Sequence, residues 1–259
     1  MKIAHILEEK YCFYNQEEFI ETDPIQIPRA FTQKEDIEIA GFIAAAIAWG
    51  KRPMIIRNAK RWLEMMDNAP YDFVLNAKDE DLKPLLSFVH RTFNGDDALF
   101  FMNSLQNIYN NHGGLEIVFS EGLKQDFDNP KNYSPQFGAL NHFRSVFMSS
   151  PHLARSGKHI ANPAKGSAAK RLNMYLRWMI RQDKQGVDFG IWKTIDPKYL
   201  MIPLDVHSGR VARKLGLLQR KADDWKSVEE LTANLRAFDV NDPVKYDFAL
   251  FGMGVFGEL

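Results

Sequence analysis

The 259-residue chain has a single cysteine, Cys12. One thiol cannot close an internal disulfide. Nor can it supply the cysteine set of a zinc site or an iron–sulfur cluster within one chain. No iron–sulfur cluster and no other cofactor are expected. Long hydrophobic runs are also lacking. The longest, Ile39 to Trp49, has 11 residues, about half of what a membrane-spanning helix needs. The opening Met1 to Glu9 is short and carries Lys2, Glu8 and Glu9, unlike a secretory leader. A cytoplasmic, reduced protein without membrane contact is expected. There is no alternating strand pattern, no repeat of helical-array length, and no linker rich in glycine, serine or proline.

Net charge is absent too, because 33 basic residues balance 33 acidic ones. A nucleic-acid surface would then have to be local. One stretch has the required bias. From Asn129 to Gln182 there is no Asp or Glu, while Lys131, Arg144, Arg155, Lys158, Lys165, Lys170, Arg171, Arg177 and Arg181 all fall within it. At the chain's own acidic fraction about seven acids would be expected there. The same pattern also fits a solvated face balanced by acids from elsewhere in the fold.

What is present reads as helix. Thr32 to Glu35 has capping-box spacing before the Ile39–Trp49 run. Gly50 then stops that helix, and Pro53 suits the first turn of the next. Asn94-Gly95 can cap a helix from Ala98, and Ser134 to Met148 forms another. Residues 151–166 read as loop. Ser167 can cap a helix from Ala168 to Arg181, which puts Lys170 in its first turn. Asp205 can cap a helix to Leu215 that Gly216 ends. Ser227 can cap Val228 to Phe238, and Asp242-Pro243 begins the last helix. The whole of residues 1–259 reads as one all-α unit.

Two of these helix starts carry chemistry. The unpaired amides and dipole at a helix start disfavour a cation, and Lys165, Arg171 and Arg177 add like charge, which favours a neutral, nucleophilic Lys170 amine. Position alone is equally that of a solvated surface lysine. Asp205 is first of all a good cap, and a capping carboxylate is held rigidly. A lysine and an aspartate so placed suit C–N cleavage at a sugar carbon, where the carboxylate stabilises oxocarbenium charge and the amine attacks C1′.

The segment Leu204-Asp205-Val206-His207-Ser208-Gly209-Arg210-Val211 resembles the "hydrophobic-Asp-Thr-His-x-x-Arg-Val" segment of helix-hairpin-helix DNA glycosylases, the superfamily of endonuclease III. Lys170-Arg171-Leu172-Asn173 is similar to that family's "Lys-Thr-Ala-Asn". Ile39 to Arg61 is similar to the helix and turn that carry its strand-probing loop. Tyr246 to Gly254 resembles its C-terminal helix ending in "Leu-x-x-x-Gly". The run Lys170 to Arg181 also looks like an uncharacterised bacterial family at the edge of the superfamily. The resemblance implies a two-lobed helical fold with a cleft, and a base-excision repair glycosylase with AP lyase activity. It places the nucleophile at Lys170 and the catalytic carboxylate at Asp205, with support from Asn173 and His207. The implied partner is double-stranded DNA with a damaged base, bound by a monomer.

The hairpin departs from the family's "Leu-Pro-Gly-Val-Gly". Here Asn162 to Ala169 contains one glycine, so Lys165 and the caps around Ser167 would hold the phosphate. The 35 residues from Lys170 to Asp205 exceed the endonuclease III spacing. They are similar to that of some archaeal 8-oxoguanine glycosylases, which points to an oxidised purine. Phosphate contacts are assigned to Lys51, Arg52, Arg155, Lys158, Lys165, Arg177 and Arg210. Two other classes stay open: a nucleic-acid binder without turnover on the same scaffold, and a metal-dependent hydrolase. The seven histidines, His5, His90, His112, His142, His152, His159 and His207, form no His-x-x-x-His pair, so no metal site is expected.

Overall fold

The computed structural model describes residues 2–127 and 135–258. The basic stretch at 129–134, with Lys131, and the expected helix start at Ser134 lie outside the described residues.

Thirteen α-helices follow one another along the described chain. They are α1 (Lys2–Tyr14), α2 (Glu17–Thr22), α3 (Lys34–Ala46), α4 (Arg52–Glu64), α5 (Pro70–Asn76), α6 (Asp79–Leu82), α7 (Gly95–Asn111), α8 (Leu115–Phe127), α9 (Pro135–Phe147), α10 (Lys170–Ile180), α11 (Val206–Lys214), α12 (Trp225–Arg236) and α13 (Tyr246–Phe256). Short 3-10 turns fill several connections. Among the described residues, strand-like pairing is confined to the isolated bridges His90–Phe93 and Ser167–Asp224. The fold is all-α, and no described helix is long and apolar enough to cross a membrane.

The centre is α3 against α10. Every residue of α3 from Ile37 to Ala46 is buried, and apart from Glu38 this part of the helix is apolar all round, as suits a core helix. Gly41 lets α10 come close, since a Cβ there would lie 3.1 Å from Met179 Cε. Phe42 packs edge-on against Tyr175, with ring centres 5.6 Å apart. The one buried acid of α3, Glu38, accepts hydrogen bonds from Tyr109 Oη and Trp192 Nε1, each at 2.7 Å. Those bonds offset the cost of its burial.

The segment after α10 lies back over the end of that helix. The amides of Phe189 and Trp192 donate to the carbonyls of Trp178 and Met179 at 2.8 and 2.9 Å, which would otherwise be orphans of the last turn. Asp188 from this segment takes Arg177 and Arg181 into the interior at 3.2 and 3.0 Å.

At the other end, α13 is the support for α1 and α11. Its glycines mark the crossings. A Cβ on Gly252 would fall 2.3 Å from the Tyr14 ring, and one on Gly254 would fall 2.8 Å from the His207 carbonyl. Arg210 Nη2 also donates to the Gly254 carbonyl at 2.6 Å. These contacts fix the start of α11 over one face of α13.

Several expected boundaries shift. Gln33, not Thr32, precedes α3, with no side-chain cap. Asp224, not Ser227, caps α12. Asn94 caps α7 and Asp205 caps α11, as the sequence predicts.

Candidate active site

Lys170 is the first residue of α10. Its approach differs from the expected Ser167 cap. Ser167 Oγ accepts only the amide of Ala169, at 3.2 Å. Ala169 occupies the cap position in the left-handed conformation, φ 50° and ψ 33°, which costs a non-glycine residue roughly 1–2 kcal/mol. The surroundings hold it there. Gly166, at φ +88°, turns the chain, and its carbonyl accepts the Trp225 amide at 3.1 Å. The hairpin is thus pinned to the start of α12.

Asp205 divides its carboxylate between two tasks. Oδ1 accepts the amides of His207 and Ser208 at 2.9 and 3.0 Å. Oδ2 lies 3.8 Å from Lys170 Nζ. The two side chains are 23% and 29% exposed, so the pair opens to solvent on one side. Lys170 Nζ also sits 3.5 Å from Met174 Sδ and 5.9 Å from the centre of the Phe251 ring.

Asn173 is fully buried behind the pair. Its Nδ2 donates to the carbonyls of Ala168 and Ile202 at 3.1 and 3.4 Å, and its Oδ1 accepts from Gln136 Nε2 at 2.7 Å. It ties the loop before Lys170 to the strand of chain before Asp205, so it positions and does not touch a ligand. His207 supports Asp205 through its backbone amide. Its imidazole is directed at Phe251, ring centres 6.2 Å apart.

The expected phosphate contacts divide in two. Lys51, Lys158 and Lys165 are exposed and have no ion-pair partner among the described residues. Arg52 is half-buried above Phe251, 5.1 Å from its ring centre and 3.9 Å from Asp23 Oδ2. Arg155 is held by Asp97 Oδ2, Asn94 Oδ1 and the Thr92 carbonyl, all at 3.0 Å. Arg210 is held by Gly254. Arg177 corrects the expectation outright. It is 3% exposed, bonded to Asp188 and Asp247, and out of reach of any phosphate. Arg144, Arg171 and Arg181 turn inward as well, Arg144 and Arg171 onto backbone carbonyls and Arg181 onto Asp183, Asp188 and Asp242. Arg155, Lys170, Arg177 and Arg181 of the acid-free stretch are thus paired with acids from outside it.

Two residues join the site without having been singled out in the sequence. Asp247 is buried; Oδ2 takes Arg177 Nη1 in a short contact, and Oδ1 has no partner among the described atoms. Burial pushes its carboxyl up to about 6, with the Asp205 charge adding to the rise, against Arg177 and Lys170. Phe251, four residues on, lies beside Lys170, Arg52 and His207. A lone acid inside the apolar run Tyr246 to Met253 is the signal that could have found Asp247. Asp23, also buried, is likewise pushed up, by burial first, with Arg52, Arg177 and Lys170 opposing. Among the described residues no group of three or more His, Cys, Asp or Glu could hold a metal ion.

Chemically, the arrangement offers a lysine amine, a fixed carboxylate oxygen beside it, and an aromatic wall. No curated protein and no solved structure matches the chain. Residues 23–256 match the family described as a protein of unknown function (DUF2400), and the chain belongs to that family.

Proposed function

We propose that this chain is a DNA N-glycosylase with lyase chemistry, acting on a damaged base through Lys170 and Asp205. The observation that carries the reading is the 3.8 Å approach of Lys170 Nζ to Asp205 Oδ2, made by helix starts 35 residues apart and left partly open to solvent. The lone pair of the Lys170 amine attacks C1′ of the deoxyribose as the C1′–N bond breaks. The bonding pair leaves with the base, which takes up a proton. Asp205 Oδ2, held by its own helix, stabilises the positive charge that grows at C1′. One of the amine's two protons is the one that the base takes up, and the other passes to O4′ as the C1′–O4′ bond breaks and the ring opens, which leaves a C1′=N Schiff base. Removal of a 2′ proton then expels the 3′ phosphate.

Lys51, Lys158 and Lys165 are the exposed cations that this reading assigns to phosphates. The family resemblance of the Lys170 and Asp205 segments supports it independently of the geometry.

The test is base release from duplexes carrying 8-oxoguanine, uracil or an oxidised pyrimidine. Release by the wild type and none by a folded Lys170→Ala protein is expected. Duplex binding without release from any of these substrates would replace the reading with a non-catalytic binder.

A further inference from the structure

A cavity of about 580 Å³ lies between α1, α2 and α13, within the size range of sites that bury a ligand or an anchoring group. Phe13, Tyr14, Phe19, Phe251, Val255 and Phe256 supply its apolar wall. Three of these are also open to solvent, Phe13 at 66%, Phe256 at 68% and Val255 at 39%. Exposed apolar residues scattered singly are ordinary, but three bordering one cavity mark a binding surface.

The wall suits aliphatic guests better than planar ones. Arg52 lies over Phe251, 5.1 Å from its ring centre, and Lys10 lies over Phe13 at 5.5 Å. Tyr14 stacks on Phe256, with ring centres 5.6 Å apart. A face of each ring is already taken. Burial of aliphatic side chains needs no free ring face, because the hydrophobic effect is non-directional.

Unpaired charge here is acidic. The charged wall residues are Glu18, Glu258 and Arg52. Glu258 is held by Lys10 at 2.6 Å and by Tyr14 Oη, while Arg52 has Asp23 at 3.9 Å. Glu18 is exposed and has no hydrogen-bond or ion-pair partner among the described residues. The same holds for Glu9 of α1 and for Glu17 and Glu21 of α2. Glu9 stands one turn before Phe13, on the same face of α1. These carboxylates repel the phosphates of a nucleic acid. They also oppose a second copy of this chain, since a two-fold contact sets the same glutamates against each other. A basic partner complements them.

We propose that this face docks a basic amphipathic segment of another protein, with aliphatic side chains in the cavity and lysines or arginines on the glutamates of α1 and α2. The docking does not depend on the chemistry at Lys170.

The probe is a labelled amphipathic peptide of about 14 residues, built from leucine and lysine with the leucines at helical spacing. One control replaces its lysines by glutamate, the other its leucines by serine. Fluorescence anisotropy measures each peptide on wild type, Phe13→Ser and Glu18→Lys. Both substituted side chains are exposed, neither touches Lys170 or Asp205, and thermal melting checks their folding. Sedimentation gives the oligomeric state, and binding of an undamaged DNA duplex is measured in parallel.

The lysine peptide should bind at least about tenfold more tightly than either control. Phe13→Ser should weaken it at least about fivefold. Glu18→Lys should weaken it about two- to fivefold, an effect that added salt removes. No binding, equal binding of the glutamate peptide, or binding unchanged in both variants overturns the proposal. So does a dimer that either substitution dissolves, which gives the face to a second copy. A duplex affinity that falls in Phe13→Ser, with no binding of the lysine peptide, gives the face to nucleic acid and overturns it too.

Discussion

Asp205 reaches Lys170 with one carboxylate oxygen while the other holds the amides of His207 and Ser208. The oxygen that faces the amine is therefore fixed by the helix it caps. A freely rotating carboxylate would lose that orientation each time its side chain turned.

Asp205→Asn should keep the cap, because the amide oxygen still accepts both backbone hydrogens. Duplex affinity and melting temperature should stay near wild type, while base release falls by at least roughly a hundredfold. Asp205→Ala removes the cap as well and should cost a further ~1 kcal/mol of stability. Single-turnover base release alongside thermal melting checks both.

Gly254 is where α11 rests on α13. Gly254→Ala would place a methyl 2.8 Å from the His207 carbonyl, and backbone cannot yield as a side chain would. The expected loss is about 1–3 kcal/mol. The displaced α11 start carries Asp205 with it. Base release at a temperature where the variant is fully folded should therefore fall too, and a variant with unaltered release would separate α11 from the site.

Asp247 titrates near 6 in the fold because burial raises its carboxyl. A raised acid contributes stability that is present below its unfolded value and lost as pH rises through about 6. Asp247→Asn lacks that change. The melting-temperature difference, variant minus wild type, should therefore climb between about pH 4 and about pH 6 and level off above. A flat difference across that window would contradict the assignment.

The lysines and the arginines of the acid-free stretch should behave oppositely. Lys158→Ala and Lys165→Ala should leave melting unchanged while weakening duplex binding. Each should lower the slope of log affinity against log salt by about one. Arg177→Ala strips a partner from buried Asp188 and Asp247 and should cost about 3–5 kcal/mol. Salt titrations and melts of the three variants decide.

Much of the helix order was legible. Asn94 and Asp205 cap where they were expected to, because an Asx side chain before an apolar periodic run is a local signal. The start at Lys170 was displaced from the expected Ala168 because Ala169 takes a left-handed conformation that no local propensity favours. Charge segregation along the chain did not become segregation in space. Asp183, Asp188, Asp242 and Asp247 sit outside residues 129–182 in sequence, yet they fold onto Arg177 and Arg181. The approach of Lys170 to Asp205 was implied only by the family resemblance, since nothing in a 35-residue separation dictates a contact. Phe251 and Asp247 were hidden inside a helix whose pattern reads as core.

The most direct measurement is covalent. The protein is incubated with a duplex containing an abasic site, reduced with borohydride, digested and analysed by mass spectrometry. The account predicts a reduced adduct on the peptide containing Lys170 and none in Lys170→Ala. A folded wild type that gives no adduct, or an adduct undiminished in Lys170→Ala, would contradict it.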